Sequence, residues 1–135
     1  MKYNTEVINE VAHKLADMLK SEVQTQPKSG EGAVKIAQVE AGMREALLQI
    51  GKRALSIFLS SMQTTPVAEI ACECGGVLQY QRMREATVIS VFGKVTYQRA
   101  YYAECSCKRG QAPIDEQFGL EPGAVTAGLA MLLAL

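Results

Sequence analysis

The chain holds four cysteines, and they fall into two tight pairs: Cys72-Glu73-Cys74, followed at once by Gly75-Gly76, and Cys105-Ser106-Cys107. Zinc favours four ligands in a tetrahedron, with thiolates at about 2.3 Å, and two short segments giving two sulfurs each can complete that geometry. Gly75-Gly76 supplies the backbone freedom that a tight turn after Cys74 needs. Cys72, Cys74, Cys105 and Cys107 therefore read as one metal site with zinc as its cofactor. A single residue between paired cysteines constrains the bite more than two would, so reduced buried thiols and disulfide or redox chemistry stand as alternatives. With all four positions taken by protein, such a site is structural: it stabilises the fold and leaves no open position to activate water.

Other chemistry is sparse. There is no phosphate-binding glycine loop, and His13, the one histidine, has no second histidine with which to share a metal. Asp115 and Glu116 are neighbours and read as solvated charges, not as an acid/base pair. No catalytic residue, no enzyme activity and no small-molecule substrate are expected. Tyr80, Tyr97, Tyr101 and Tyr102 with Arg82, Arg84 and Arg99 suit stacking on bases or clamping phosphates; they equally suit tyrosines packing a sheet whose edge the arginines solvate. The net charge is zero, from 14 basic and 14 acidic residues, yet residues 72–112 carry a net +3 and residues 113–135 a net −3. Arg82, Arg84, Lys94, Arg99, Lys108 and Arg109 are the candidate nucleic-acid contacts. A patch of that size permits DNA as a partner but neutralises few phosphates.

The residues between the cysteine pairs must bring the pairs together. Val77 to Arg84 and Ala86 to Phe92 read as strands rich in β-branched residues, and Val95 to Tyr102 as a third. Gly93-Lys94 fits a two-residue turn with glycine first. That turn sets Phe92 opposite Val95, Val88 opposite Arg99 and Ala86 opposite Tyr101, and gathers Phe92, Val88, Tyr97, Tyr101 and Arg99 on one face. The hairpin brings Cys74 and Cys105 to the same end.

Upstream, residues 5–24 have apolar side chains at three- and four-residue spacings, an amphipathic helix with Asn4 or Thr5 as N-cap. His13 reads as a surface residue of that helix. A loop is expected at Gln26 to Gly30, then a long helix from Glu31 to Met62 that Thr64-Thr65-Pro66 closes. Its main stripe is Ile36, Val39, Met43, Leu47, Ile50, Ala54 and Ile57. At 1.5 Å per residue it would extend about 45 to 50 Å, of which the first helix covers about 30 Å. The excess face fits a homodimer or larger assembly through Ile36, Met43, Leu47, Ile50 and Ile57, or packing of the far end on the cysteine domain.

Downstream, Lys108 to Gly119 reads as irregular and Ala124 to Leu135 as a short apolar helix. The expected fold is α+β: an N-terminal helical hairpin with one long helix, then a small antiparallel zinc-ribbon-like β-hairpin domain and a short C-terminal helix. The expected divisions are residues 1–66, a self-associating hairpin; 67–112, the β domain; and 113–135, loop and apolar helix. No apolar run reaches the roughly 18 to 20 residues that span a bilayer. The N-terminus lacks the order of a signal peptide, so a cytoplasmic protein with reduced thiols and no membrane partner is expected.

Cys72-Glu73-Cys74-Gly75-Gly76, Gly93-Lys94-Val95, the return Arg99-Ala100-Tyr101-Tyr102-Ala103-Glu104-Cys105 and Pro113-Ile114-Asp115 together resemble the N-terminal part of bacterial insertion-sequence transposases of the ISKra type. The resemblance covers residues 70–133 and stops before the catalytic domain of that family. It implies a zinc-ribbon-like module that recognises transposon DNA or helps assemble the transposase, without strand-transfer residues. A protein-interaction regulator that pairs with a transposase or another nucleic-acid enzyme, making no DNA contact, is the rival expectation, and the neutral net charge favours it.

Overall fold

The structure is a computed structural model that describes residues 5–24, 32–62 and 66–135. Its elements are α1 (Thr5–Gln24), α2 (Gly32–Ser61), β1 (Glu69–Ala71), β2 (Val77–Ser90), β3 (Gly93–Ala103), α3 (Pro113–Phe118) and α4 (Ala127–Leu133). The class is α+β, with a long helix, a three-stranded antiparallel sheet in the order β1-β2-β3 and a short C-terminal helix. Among the described residues no helix is long and apolar enough to cross a membrane. The expected N-cap Asn4, the loop at 26–30 and Thr64-Thr65 lie outside the described residues.

The chain forms two compact units, residues 1–55 and 56–135. In the first, Arg53 of α2 reaches Glu10 of α1 at 3.8 Å. In the second, the last turns of α2 belong to the sheet. Serines four residues apart lie on the same side of a helix, and two of them meet the outer edge of β3: Ser56 Oγ donates to the Thr96 carbonyl at 2.5 Å, and the Gln98 N–H donates to Ser60 Oγ at 2.9 Å. Leu59 is buried beside them, and Phe58 meets Phe118 edge-on at 5.7 Å.

The hairpin is one long ribbon. β2 runs unbroken through Glu85, where two separate strands are expected from the sequence, because no Gly, Pro, Asn, Asp or Ser lies between Val77 and Ile89. A bulge between Tyr80 and Arg82 adds one residue to β2 and changes which side chains of that strand face the cysteine end. Towards the turn the buried face holds Ala86, Val88, Ser90, Val95, Tyr97 and Arg99. At the cysteine end the other face is covered, where Leu78, Ala100 and Tyr102 form a core with Cys72 and Cys105, flanked by Ile70, Tyr80 and Met83.

The turn lies two residues earlier than expected, so each cross-strand partner shifts by four residues. Ser90 pairs with Gly93, Val88 with Val95 and Ala86 with Tyr97, so the turn is Val91-Phe92 and not Gly93-Lys94. Gly93 has φ 115, the positive value that glycine tolerates, and it follows the turn instead of opening it. Ser90 fastens this arrangement: its Oγ accepts from the Phe92 N–H at 3.1 Å and donates to the Gly93 carbonyl at 2.9 Å. An even shift preserves the alternation of faces, so Val88, Tyr97 and Arg99 still share one side. Phe92 leaves it for the turn.

Both edges of the ribbon are paired in part, which shortens the open rows of N–H and C=O groups that invite strand addition. Beside β1, residues 123–126 run along β2: Gly123 donates to Thr87 O, Ile89 to Ala124 O and Thr126 to Ile89 O. On β3, Gln111 and Tyr102 exchange both backbone bonds. The C-terminal helix accordingly starts at Ala127, later than expected, with Thr126 as its N-cap accepting from the Leu129 N–H. The segment expected to be irregular contains α3, which starts at Pro113 and ends at Gly119 in the left-handed conformation.

Candidate metal centre

Each cysteine pair sits in a loop folded back on itself. At the first, the Cys72 N–H donates to Gly76 O at 2.9 Å and the Gly75 N–H to Cys72 O at 3.0 Å, with Gly75 at φ 90. At the second, the Lys108 N–H returns to Cys105 O at 2.9 Å, and Glu104 and Lys108 take φ of 67 and 62. β2 leaves the first loop and β3 enters the second, so the antiparallel pairing of Gln79 with Ala103 holds the two loops face to face.

The sulfurs meet across the loops. Cys72 Sγ lies 3.5 Å from Cys107 Sγ, Cys74 Sγ lies 3.3 Å from Cys105 Sγ, and all four fall within 4.8 Å of one another. A tetrahedron with zinc–sulfur bonds of about 2.3 Å needs sulfurs roughly 3.8 Å apart, which this quartet brackets. Cys72 and Cys105 are buried; Cys74 and Cys107 face solvent. Among the described residues no other group of three or more His, Cys, Asp or Glu side chains converges this way. The four cysteines close together can hold a metal ion.

Backbone N–H donors reach two of the sulfurs. The Gly76 N–H bonds Cys74 and the Cys107 N–H bonds Cys105, each two residues beyond the sulfur it serves. Without metal, the Gly76 N–H pulls the Cys74 thiol down, but the neighbouring sulfurs outweigh it and push it up to about 12. Cys105 takes the opposite course: the Cys107 N–H and then the shared Cys74 proton bring it down to about 6. Metal binding to such a site displaces thiol protons, so its affinity rises with pH. Gly76 is required by space, since a Cβ there would lie 2.8 Å from Cys105 Sγ and 3.4 Å from Cys74 Sγ. The quartet, its N–H donors and this cradle fit a closed four-thiolate centre.

The basic residues separate into three groups. Arg82 pairs with Tyr101 across the strands, and the Arg84 guanidinium lies 4.5 Å from the Tyr101 ring centre. Gly110 is pressed against the same ring, and Lys108 and Arg109 directly precede it in the chain. Arg109 also bonds Glu73 of the first cysteine loop at 3.1 Å, an exposed pair. Lys94 is exposed near the hairpin turn, at the other end of β3.

Arg99 is buried in the unit. Its Nε donates to Asp115 at 3.1 Å, and its Nη1 to the carbonyls of Arg84 and Glu85. The Tyr97 hydroxyl donates to the same carboxylate at 2.6 Å. Burial and then Asp115 push the Tyr97 hydroxyl well above the usual tyrosine range. Asp115 is thus no solvated charge, contrary to the sequence reading, while Glu116 remains exposed and accepts from Gln111. The signal was present in Pro113, two acids in a first turn and Gly119, a complete short helix.

Of the residues expected to self-associate, Ile36, Met43 and Leu47 are exposed on α2, Ile57 is half-buried and Ile50 is buried. No protein-family model, curated protein or solved structure matches this chain.

Proposed function

We propose that the chain is a non-catalytic zinc-binding module whose cysteine centre fastens a sheet that contacts DNA. The observation that carries this reading is the placing of Arg82 and Arg84 against Tyr101, whose hydroxyl end meets Gly110 directly after Lys108 and Arg109. The closed ligand set supports a structural metal, because four protein sulfurs leave no position for substrate. The resemblance to the N-terminal region of insertion-sequence transposases supports a transposase-derived role in DNA recognition or assembly. Arg99 is left out of the contact surface, since Asp115 occupies it.

DNA affinity measured against salt tests the reading. Each phosphate neutralised adds about 0.9 to the steepness of log K against log salt. Arg82→Ala with Arg84→Ala is expected to weaken binding about tenfold and to flatten that slope by roughly 1 to 2, with metal content unchanged. Equal affinity and slope in the double variant would remove this face from the interface.

A second reading, a protein-interaction regulator that makes no DNA contact, is favoured by the exposed stripe Ile36, Met43 and Leu47 on α2. Such a stripe suits a second copy of the chain or another helical partner. The same titration separates the two, since this reading predicts no salt-sensitive DNA binding.

A further inference from the structure

The basic face beside the cysteine centre has tyrosines in it, yet none offers a free ring. Tyr97 and Tyr102 are 1% and 0% exposed, and their hydroxyls are bonded to Asp115 and to the Val67 carbonyl. Tyr80 packs edge-on against Tyr102 at 5.8 Å and 66°. Tyr101 is closest to the arginines, but Arg84 lies over its ring, and Gly110 is so near that an added Cβ would fall 2.7 Å from the phenol carbon Cζ. Phe58 and Phe118 engage each other. Phe92 is exposed in the hairpin turn, nine residues along the ribbon from Tyr101 and hence roughly 30 Å away.

Resting on the DNA-contacting reading above, we infer that this face recognises the phosphate backbone of double-helical DNA and does not read or stack on bases. Sequence-tolerant binding of single strands draws on aromatic faces, with about 1 to 3 kcal/mol for each stacked base. Here the one aromatic ring inside the patch is spent on holding protein. Tyr101 is a platform: its cross-strand neighbour is Arg82, its face carries Arg84, and its hydroxyl end abuts Gly110, directly after Lys108 and Arg109.

The exposed cations of this region are Arg82, Arg84, Lys108 and Arg109, among the exposed acids Glu73, Glu85 and Glu104, and the match of such cations is a row of phosphates. A duplex offers the denser row, one charge per about 1.7 Å of axis. Arg109 enters with little loss, because its bond to Glu73 joins two side chains that are 63% and 80% exposed, a class of pair that contributes little stability. A phosphate can take that place.

The test is fluorescence anisotropy of the full chain, zinc-loaded, on two labelled duplexes of unrelated sequence and on each separated strand, across a salt series. Both duplexes are expected to bind within about threefold of each other and no more weakly than any of the strands. Tyr101→Leu, which removes the ring but keeps an apolar side chain against Gly110, is expected to weaken duplex binding with the salt slope reduced and metal content unchanged. A single strand bound tenfold more tightly than either duplex, or a tenfold preference for one duplex sequence, would overturn the inference while leaving the DNA-contacting reading in place. Tyr101→Leu binding duplex as tightly as the parent chain would also overturn it. No salt-sensitive binding to either duplex or any strand would overturn both.

Discussion

Replacing Cys74 by serine is expected to release the metal and unfold residues 72–107. A structural four-thiolate zinc contributes on the order of 10 kcal/mol of folding free energy, while whole domains are stable by only about 5 to 15 kcal/mol. Removing one sulfur therefore threatens most of what holds the unit. The structure identifies the first part to fail. Cys72 and Cys105 are themselves core residues with Leu78, Ala100 and Tyr102, so the two cysteine loops cannot separate without opening that cluster. Circular dichroism and metal analysis of Cys74→Ser should show lost strand signal and lost metal together. A variant with the parent's thermal midpoint and no metal would mean that the sheet stands unaided.

The second large effect is expected at Asp115. Its carboxylate holds Arg99 and Tyr97, and the Arg99 and Asp115 side chains are 11% and 14% exposed. Removing one partner of a nearly buried pair leaves the other charge uncompensated, at a cost of about 3 to 5 kcal/mol. Asp115→Ala should approach that figure in urea unfolding of the metal-loaded protein, since it also strips the Tyr97 hydroxyl of its acceptor. Asp115→Asn keeps an acceptor for Tyr97 and should lose less. Pairing Asp115→Ala with Arg99→Met should recover part of the loss, because the stranded guanidinium goes too. A loss under about 1 kcal/mol for Asp115→Ala would place the pair with exposed salt bridges.

The two effects divide the hairpin between them. The bulge between Tyr80 and Arg82 lets one ribbon bury opposite faces at its two ends. The cysteine end is fastened by sulfur, and the stretch towards the turn by the Arg99–Asp115 pair and the last turns of α2. The Arg99 to Tyr102 return and Pro113-Ile114-Asp115 meet in that ion pair.

How far the fold could be read in advance depended on whether each signal was local. The helical spans of α1 and α2 followed from apolar periodicity, and the cysteine quartet from two pairs flanking a hairpin. The hairpin register did not, because Gly93 suits two places in a tight turn and only the bonds made by Ser90 decide between them. β1 was missed: Glu69–Ala71 is three residues long and becomes a strand only by pairing with Val77–Gln79. Arg99 shows the same limit from the other side. Its composition matches the solvent-facing arginines Arg82 and Arg84, and only the return of Asp115, sixteen residues later, buries it. α3 was legible from its proline, acids and glycine, and the proline was read instead as a mark of irregular chain.

The most direct measurement is the metal content of the purified chain, by native mass spectrometry, followed by circular dichroism before and after removal of the metal with a chelator. One zinc per chain is predicted, with strand signal lost on chelation and regained when zinc is restored. A chain that carries no metal, binds none when zinc is offered and keeps its sheet would contradict the account.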